Sequence, residues 1–280
     1  MKKLLFFFIS YKMTGFFVLE ISVINNDKYC IKGGGKGCLF FMAWGSVENN
    51  YPFEQLPEAI LTDELRCNPV SNNIQVITRH RSRWIAHFLL WKLFEKAQLD
   101  TALLGKIYRG VNGRPELPAE DIDFNISHSG NFVAVIVNVK KKHNCVGIDI
   151  ELPNKPNKKR NFEGLLRHFG SEEEWTWCHT QEKMKFETAF YNCWCLREAV
   201  LKAVGHGILK LSYVEHHPNT LVIRSDYCPK GQLIFDDSLG FYLAIFIQGK
   251  DLNNIQYFQW NGKNLEAFHL NNSRCYQVNH

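Results

Sequence analysis

The chain has 280 residues, of which 45% are hydrophobic and 22% are charged, and this is the balance of a folded globular protein. Aromatic residues make up 14% of the sequence, which excludes intrinsic disorder, and 19 Gly with 9 Pro exclude a collagen-like chain. The formal net charge of +5 favours phosphorylated or acidic partners, but it is too small to indicate nucleic-acid binding by itself. The 9 Cys follow no regular spacing, which is typical of reduced thiols in a cytoplasmic protein.

Residues 1–42 are interpreted as an N-terminal extension whose role the sequence leaves open. The apolar run at residues 4–9 is shorter than the core of a usual signal peptide, and Tyr11 and Lys12 interrupt it. No stretch approaches the ~20 apolar residues of a membrane-spanning helix, so we expect no membrane association. The glycine-rich residues 33–37 lack the order of a phosphate-binding loop and are interpreted as a flexible linker.

Residues 43–147 are predicted to form an N-terminal half. Apolar residues at helical spacing predict a long helix over residues 74–99. Residues 125–130 are interpreted as a turn, and the apolar, β-branched run at residues 132–137 predicts a buried strand directly after it.

Residues 148–280 are predicted to form a C-terminal half. A strand over residues 145–151 leads into it, and its end is acidic. Ser171 is a plausible N-cap for a short helix over residues 172–180. A second long helix is predicted over residues 186–204, closed by Gly205. Further strands are predicted over residues 220–224, 232–236 and 241–248.

The two predicted halves share a pattern. Trp84 and Trp194 each lie near the middle of a long helix, and a short apolar strand follows each helix at a nearly equal distance. This faint repeat favours an α+β pseudo-dimer of two similar halves, each a helix with an antiparallel sheet. Ligands commonly bind between such halves, so we expect the active site in the cleft.

Two acidic residues end the strand at residues 145–151. Asp149 and Glu151 are two positions apart, so their side chains point to the same face of the strand. Adjacent carboxylates repel each other unless a cation lies between them, and oxygen ligands suit Mg²⁺. The alternative is a solvated strand end with two unrelated acids.

Further charged and polar residues suit a phosphate ligand. Glu198 and Lys202 are spaced i, i+4 on the second long helix, where the alternative is an ordinary surface ion pair, and Arg197 adds positive charge beside them. Small hydroxyls, backbone amides and an imidazole at residues 125–130 could hold a phosphate, or else they form a locally bonded turn. The arginines that could add phosphate-binding charge are Arg79, Arg109 and Arg114.

Taken in order, the segments FNISHSG, VGIDIE and WCLREAVLKAVGHG resemble the motifs of the 4′-phosphopantetheinyl transferase superfamily. The resemblance is closest to its single-chain, surfactin-type branch, which includes the animal aminoadipate-semialdehyde dehydrogenase phosphopantetheinyl transferases. Residues 108–115 also look like the arginine and G-(K/R)-P loop of that family. The resemblance extends over about residues 44–247 and implies the fold of this family, which is the α+β pseudo-dimer.

The resemblance implies holo-[acyl-carrier-protein] synthase activity, in which the 4′-phosphopantetheine of coenzyme A is transferred to a serine of an apo carrier protein and 3′,5′-ADP is released. It implies that Mg²⁺ is held by Asp149, Glu151 and Glu198. Glu198 and Lys202 are the implied catalytic residues, with Glu198 removing the proton of the acceptor serine and Lys202 at the pyrophosphate. The implied coenzyme A-binding residues are Arg79, Arg109, Gly113, Arg114, Pro115, Asn125, Ser127, His128, Asp149 and Lys202.

Some features depart from the family pattern or leave a choice open. Arg197 stands where a lysine is most common, and we expect this change to be tolerated because the charge is kept. Glu151 binds the metal directly or through water.

Two other functions compete with carrier modification. One is a non-catalytic coenzyme A- or nucleotide-binding protein of the same fold, but the complete set of acids and Lys202 argues against it. The other is a basic nucleic-acid binder, suggested by the loop at residues 155–160. We expect a cytoplasmic monomer that binds neither nucleic acid nor membrane. The sequence does not say whether the carrier belongs to a fatty acid synthase, an aminoadipate-type reductase or another system.

Overall fold

A computed structural model describes residues 20–24, 28–32, 39–67, 72–139, 144–153, 160–181 and 184–280. The chain divides into two compact units, Met1–Gly37 and Cys38–His280. In the first unit, strands β1 (Glu20–Ile24) and β2 (Lys28–Lys32) pair in antiparallel fashion. The apolar run at residues 4–9, the glycine linker at residues 33–37 and most of the basic loop at residues 155–160 lie outside the described residues.

The second unit has a mixed α+β fold, as predicted. Its strands are β3 (Leu39–Ser46), β4 (Tyr108–Arg109), β5 (Pro115–Glu116), β6 (Ile122–Ser129), β7 (Phe132–Val139), β8 (Val146–Glu151), β9 (Glu215–His217), β10 (Val222–Arg224), β11 (Gly231–Asp236), β12 (Tyr242–Gln248), β13 (Ile255–Trp260), β14 (Leu265–Phe268) and β15 (Ser273–Val278). Its α-helices are α1 (Asp63–Arg66), α2 (Ile74–Lys96), α3 (Phe162–Phe169), α4 (Glu172–Thr180) and α5 (Phe186–Ala203). None of these helices is both long enough and apolar enough to cross a membrane.

Two larger sheets organise this unit, and each packs against one long helix. A five-stranded sheet has the order β14-β13-β3-β7-β6, and α2 covers β3 and β7. A six-stranded sheet has the order β8-β12-β11-β15-β10-β9, and α5 covers β8, β12 and β11. Strand β13 pairs in parallel with β3, so a C-terminal segment completes the sheet formed by the earlier strands.

The predicted helices are confirmed, together with their end signals. Helix α2 begins at the predicted Ile74 and ends at Lys96, slightly before the predicted end. Ser171 caps α4, and its hydroxyl accepts a hydrogen bond from the backbone N–H of Glu174 in a capping box. Gly205 follows α5 with a φ of +74°, the left-handed conformation that glycine adopts most readily after a helix.

The predicted turn at residues 125–130 is wrong for most of its length. Strand β6 extends to Ser129, and the turn is confined to Gly130 and Asn131 before β7 begins. Polar residues at alternate positions suggested local backbone bonding, but in the structure they bond to a neighbouring strand. Strand β3, helix α3 and the C-terminal strands β13, β14 and β15 were also not predicted from the sequence.

The facing edges of the two larger sheets are joined by side chains of β6. Asp123, Asn125, Ser127 and Ser129 accept hydrogen bonds from the backbone N–H groups of Val146, Ile148, Ile150 and Leu152, in that order, at 2.8, 3.2, 3.1 and 3.1 Å. Each partner lies 23 residues further along the chain, so β6 and β8 run parallel with a fixed alignment. We call these four side chains the polar seam. The seam satisfies backbone donors on the edge of β8 that would otherwise be buried without partners.

A glycine brings α5 directly onto β8. A Cβ atom at Gly147 would clash with the backbone oxygen of Ala199 and would lie 2.9 Å from the Cβ of Ala203. Because side chains alternate along a strand, Asp149 and Glu151 lie on the same face of β8 as Gly147. The close contact therefore places both acids beside α5.

Candidate functional site

The contact between β8 and α5 brings the motif residues together. Lys202 Nζ, on the last turn of α5, donates hydrogen bonds to Asp149 Oδ1 at 2.6 Å and to Ser127 Oγ at 2.9 Å. Glu198 lies one turn earlier on the same helix, close enough for its charge to interact with Asp149, Glu151 and Lys202. Asp149 and Glu198 are 4% and 8% exposed. We call Asp149, Glu151, Glu198 and Lys202 the acidic cluster.

The acidic cluster contains more negative than positive charge. Burial and the nearby Asp149 carboxylate raise the pKa of Glu198 to about 7, although Lys202 opposes the shift. Burial likewise raises the pKa of Asp149 against the effect of Lys202. Burial acts to lower the pKa of Lys202, but the charge of Asp149 and its hydrogen bond outweigh this effect, so the pKa is raised. Lys202 is therefore an ammonium at neutral pH, and the raised pKa values of Asp149 and Glu198 show that it does not fully offset their burial.

Two carboxylate oxygens of the acidic cluster are buried without a hydrogen-bond partner among the described residues. They are Asp149 Oδ2 and Glu198 Oε1. An unsatisfied buried acceptor costs about 1–3 kcal/mol, and more when it is charged. A hard divalent cation prefers such oxygen ligands, so the donor set fits Mg²⁺.

The acidic cluster is also more open than a closed metal cage. Within the described residues, the one group of three donor atoms that lie within 4.8 Å of one another is formed by Glu174, Cys193 and His216. Asp149, Glu151 and Glu198 are not such a group. Mg²⁺ commonly takes one or two protein carboxylates and completes its coordination with water and substrate phosphates. An open arrangement therefore suits an ion that is shared with a phosphorylated substrate.

The group of Glu174, Cys193 and His216 already contains a cation, the guanidinium of Arg197. Arg197 Nη1 and Nη2 donate to the two carboxylate oxygens of Glu174 at 2.5 and 2.6 Å, and His216 Nδ1 lies 2.9 Å from Glu174 Oε1. The nearby Arg197 and the hydrogen bonds outweigh burial and hold the pKa of Glu174 well below its usual range. We call Arg197 and Glu174, with His216 bonded to the same carboxylate, the buried ion pair. The expectation that Arg197 adds positive charge to the site is wrong, because its guanidinium is bonded to α4.

Arg114 and Asn125 lie beside Lys202, but their side chains are engaged within the protein. Arg114 forms a two-pronged pair with Asp123 at 2.8 and 2.8 Å, and its Nε donates to the backbone oxygen of Lys202 at 3.1 Å. Asn125 Nδ2 donates to the same oxygen at 3.3 Å. Both side chains thus fix the end of α5 where Lys202 is located.

Ser127 and His128 lie on opposite faces of β6. Ser127 is 3% exposed, donates to Asp149 Oδ1 at 3.1 Å and accepts from Lys202 Nζ and the N–H of Ile150. Its one proton and both lone pairs are therefore used. His128 is exposed, so a ligand in solution can reach its ring.

The remaining predicted coenzyme A-binding residues lie on the surface around α2 and the β4–β5 hairpin. Arg109 is 53% exposed and pairs with Glu64 of α1 at 3.0 Å. Arg79 is exposed on α2. Gly113, with a φ of +77°, forms the hairpin turn before Pro115, and its backbone oxygen accepts a hydrogen bond from Arg109 at 3.2 Å. No hydrogen bond or ion pair between described residues joins Arg79 or Arg109 to the acidic cluster.

Two side chains near the acidic cluster were missed by the sequence analysis. Ser129 Oγ donates to Glu151 Oε2 at 2.8 Å, and Arg160 Nη2 lies 3.8 Å from the same oxygen. The alternation of small polar residues along β6 is the signal that could have identified Ser129. Arg160 lies at the end of the basic loop, which the sequence analysis considered only for nucleic-acid binding.

The known proteins that are similar to this chain all carry the name of one family. The sequence profile of the 4′-phosphopantetheinyl transferase superfamily matches residues 145–232, which contain all four residues of the acidic cluster. A Haemophilus influenzae protein assigned as a 4′-phosphopantetheinyl transferase is 42% identical over 240 residues, which are 85% of this chain and 99% of the relative. The 4′-phosphopantetheinyl transferase of Bacillus subtilis is 31% identical over 97 residues, 34% of this chain and 39% of the relative. Human L-aminoadipate-semialdehyde dehydrogenase-phosphopantetheinyl transferase is 28% identical over 112 residues, 37% of this chain and 35% of the relative.

Proposed function

This chain belongs to the 4′-phosphopantetheinyl transferase superfamily, and we propose that it transfers the 4′-phosphopantetheine of coenzyme A to a serine of an apo carrier protein. The products are holo carrier protein and 3′,5′-ADP, as in a holo-[acyl-carrier-protein] synthase. The observation that carries the proposal is the acidic cluster, where a lysine ammonium bonds to Asp149 and two buried carboxylate oxygens have no hydrogen-bond partner among the described residues. Such an arrangement suits a polyphosphate and its cation.

Asp149, Glu151 and Glu198 would hold Mg²⁺ in this proposal. The buried oxygens of Asp149 and Glu198 that have no hydrogen-bond partner among the described residues support the assignment, because a bound ion would interact with them. When bound, the ion supplies positive charge against the pyrophosphate of coenzyme A. Whether Glu151 binds it directly or through water remains part of the proposal.

Glu198 is proposed to take the proton of the acceptor serine, directly or through water. A serine hydroxyl is a weak nucleophile until a base removes its proton. Without a metal, burial raises the pKa of Glu198 to about 7, and a bound cation would lower this pKa and keep the carboxylate ionised and able to accept a proton. The serine oxygen forms a bond to the β-phosphorus, and the bond to 3′,5′-ADP breaks with its electron pair.

Lys202 is proposed to stabilise the charge that develops on the phosphoryl oxygens. Its ammonium is already positioned by Asp149 and Ser127, so little reorganisation is needed during the reaction. Arg79, Arg109 and His128 are proposed to contact coenzyme A, with His128 near its 3′-phosphate. Arg114, Asn125, Gly113 and Pro115 would shape that binding site, since the first two are bonded within the fold.

Two finer aspects of the proposal concern architecture and partner. The pairing of one long helix with one sheet on each side of the polar seam supports a pseudo-dimer with the site between its halves. The net charge of +5 favours an acidic carrier protein, and the basic loop that ends at Arg160 leaves the strand bearing Asp149 and Glu151. We propose that this loop contacts the carrier.

The test is mass spectrometry of purified apo carriers incubated with the protein, coenzyme A and Mg²⁺. Carriers of the fatty acid synthase and aminoadipate-reductase types are both needed, because the sequence does not choose between them. We expect at least one carrier to gain the mass of one phosphopantetheine group, and we expect EDTA to prevent this. Tight coenzyme A binding without transfer to any carrier would instead support the non-catalytic binding protein.

A further inference from the structure

Ser129 connects the polar seam to the carboxylate of Glu151. Its hydroxyl accepts a hydrogen bond from the backbone N–H of Leu152 at 3.1 Å and donates to Glu151 Oε2 at 2.8 Å. A serine hydroxyl carries one proton, so the bond to Glu151 uses all of its donor capacity. Ser129 is 3% exposed, and solvent therefore has little access to this contact.

A positive side chain lies near the same carboxylate oxygen. Arg160 Nη2 is 3.8 Å from Glu151 Oε2, which is too far for a hydrogen bond but close enough for strong attraction. Arg160 also donates to the hydroxyl of Tyr191 at 3.2 Å. Ser129 therefore makes the hydrogen bond to this oxygen of Glu151, while Arg160 contributes longer-range attraction to it.

The seam divides into two pairs of side chains with different second partners. Ser127 and Ser129 each donate to a carboxylate of the acidic cluster, Asp149 and Glu151 respectively. Asp123 and Asn125 bond instead to Arg114 and to the backbone of Lys202. The aligned strands thus place one hydroxyl against each of the two acids on β8.

We propose that Ser129 is a positioning residue for metal binding, which holds the Glu151 carboxylate in place to act with Asp149 and Glu198. This inference rests on the proposed function, because it takes a divalent cation as the occupant of the acidic cluster. Residues that orient a metal ligand typically contribute about 10–100-fold to metal affinity. The contribution of Ser129 is expected to depend on the carboxylate of Glu151.

The experiment is a titration of the full chain with Mn²⁺, followed by electron paramagnetic resonance, with and without coenzyme A. Ser129→Ala is expected to weaken Mn²⁺ binding about 10-fold, and Ser129→Thr, which keeps the hydroxyl, is expected to restore it. In a Glu151→Gln background, Ser129→Ala is expected to change the affinity less than about twofold, because the two residues act through one contact. If Ser129→Ala does not fold, Ser129→Cys, which keeps the size with a weaker donor, replaces it.

Asp123→Asn is the matched control, since it weakens the other end of the seam without touching a carboxylate of the acidic cluster. It is expected to lower the unfolding temperature and to leave Mn²⁺ affinity unchanged. Wild-type Mn²⁺ affinity in a folded Ser129→Ala protein, or equal losses in both Glu151 backgrounds, would overturn the inference. So would a wild-type protein that binds no Mn²⁺. A wild-type protein that binds Mn²⁺ but modifies no carrier would contradict the proposed function alone.

Discussion

Helix α5 takes part in two buried groups of charges, and they differ in how well those charges are paired. In the buried ion pair, Arg197 and Glu174 are 1% and 0% exposed, and both carboxylate oxygens of Glu174 accept from the guanidinium. In the acidic cluster, Lys202 bonds to Asp149 and Arg160 lies 3.8 Å from Glu151, but Asp149 Oδ2 and Glu198 Oε1 have no hydrogen-bond partner among the described residues.

This difference separates charges that are satisfied within the protein from charges that are not. A buried charge is tolerated in a stable fold when its partner and hydrogen bonds are present, as they are around Arg197. A group that remains unsatisfied within the protein points to a ligand that supplies what is missing. The first arrangement fixes α4 to α5, whereas the second leaves negative charge available at the end of β8.

Asp149→Asn should produce the largest effect, a loss of carrier modification of about 10²-fold or more, because it removes charge from the acidic cluster. The unfolding temperature should stay close to that of the wild type, because the lost pairing with Lys202 is offset by removing a charge that burial disfavours. Initial rates with saturating coenzyme A and Mg²⁺, together with thermal unfolding, provide the measurement. If this variant kept the activity of the wild type in buffer that contains a chelator, the assignment of Asp149 as a metal ligand would be contradicted.

Arg197→Met should have the opposite effect, because it should lower the stability of the fold more than it lowers the rate of transfer. It leaves Glu174 buried without its cation, which typically costs 3–5 kcal/mol, so we expect a loss of about that size in the free energy of unfolding. Denaturant titration measures the loss, and the turnover per folded molecule should remain near that of the wild type. The double variant Arg197→Met with Glu174→Gln should regain part of the stability. A stable but inactive single variant would show that Arg197 belongs to the site.

Glu198→Gln should stabilise the protein in chelated, metal-free buffer. The pKa of Glu198 is about 7 when folded against an ordinary value of 4.5, so the folded state binds this proton more tightly than the unfolded state. Its stabilising contribution is present below about pH 4.5 and is lost as the pH rises through about 7, with a full loss of about 3 kcal/mol.

The gain from Glu198→Gln should therefore be larger at pH 8 than at pH 5, which unfolding titrations at both values measure. When Mg²⁺ is supplied, the transfer activity of this variant should fall at both pH values. An equal gain at the two pH values would mean that the charge of Glu198 is not the cause.

The smallest effect is expected from the lysines of the basic loop at residues 155–160, which belong to neither the buried ion pair nor the acidic cluster. Changing Lys158 and Lys159 to Glu should raise the KM for an acidic carrier several-fold at low salt, because charges on a docking surface mainly steer encounter. Arg160 is kept in this variant because it lies beside Glu151. The KM for coenzyme A should change little, and the defect should shrink at physiological ionic strength. If the carrier KM is unaffected at low salt, the carrier docks elsewhere.

Local spacing was enough to predict which residues of the acidic cluster lie side by side on one element. The two-residue spacing of Asp149 and Glu151 and the four-residue spacing of Glu198 and Lys202 fix which side chains share a face, and the structure brings those faces together. Helix ends were predictable for the same reason, since Ser171 and Gly205 act on neighbouring backbone groups.

Contacts between distant segments could not be predicted in this way. The alternating Asn125, Ser127 and Ser129 were interpreted as part of a turn because their partner strand lies 23 residues away. Glu174 and Arg197 are also separated by 23 residues and lie on different helices, so the charge of Arg197 was assigned to the wrong place. Which strand edges meet depends on the packing of whole sheets, and short motifs do not encode it.

The parallel pairing of β3 with β13 has a consequence for protein synthesis. Asn49, just after β3, bonds to Trp260 at the end of β13, a separation of 211 residues. Strand β3 therefore leaves the ribosome long before β13 has been translated. Until then, the edge of β3 that pairs with β13 remains unpaired on the nascent chain. Contacts of such long range make folding slow, and they delay completion of the first sheet until synthesis is nearly finished. During that interval the nascent edge is the surface that a chaperone would need to protect.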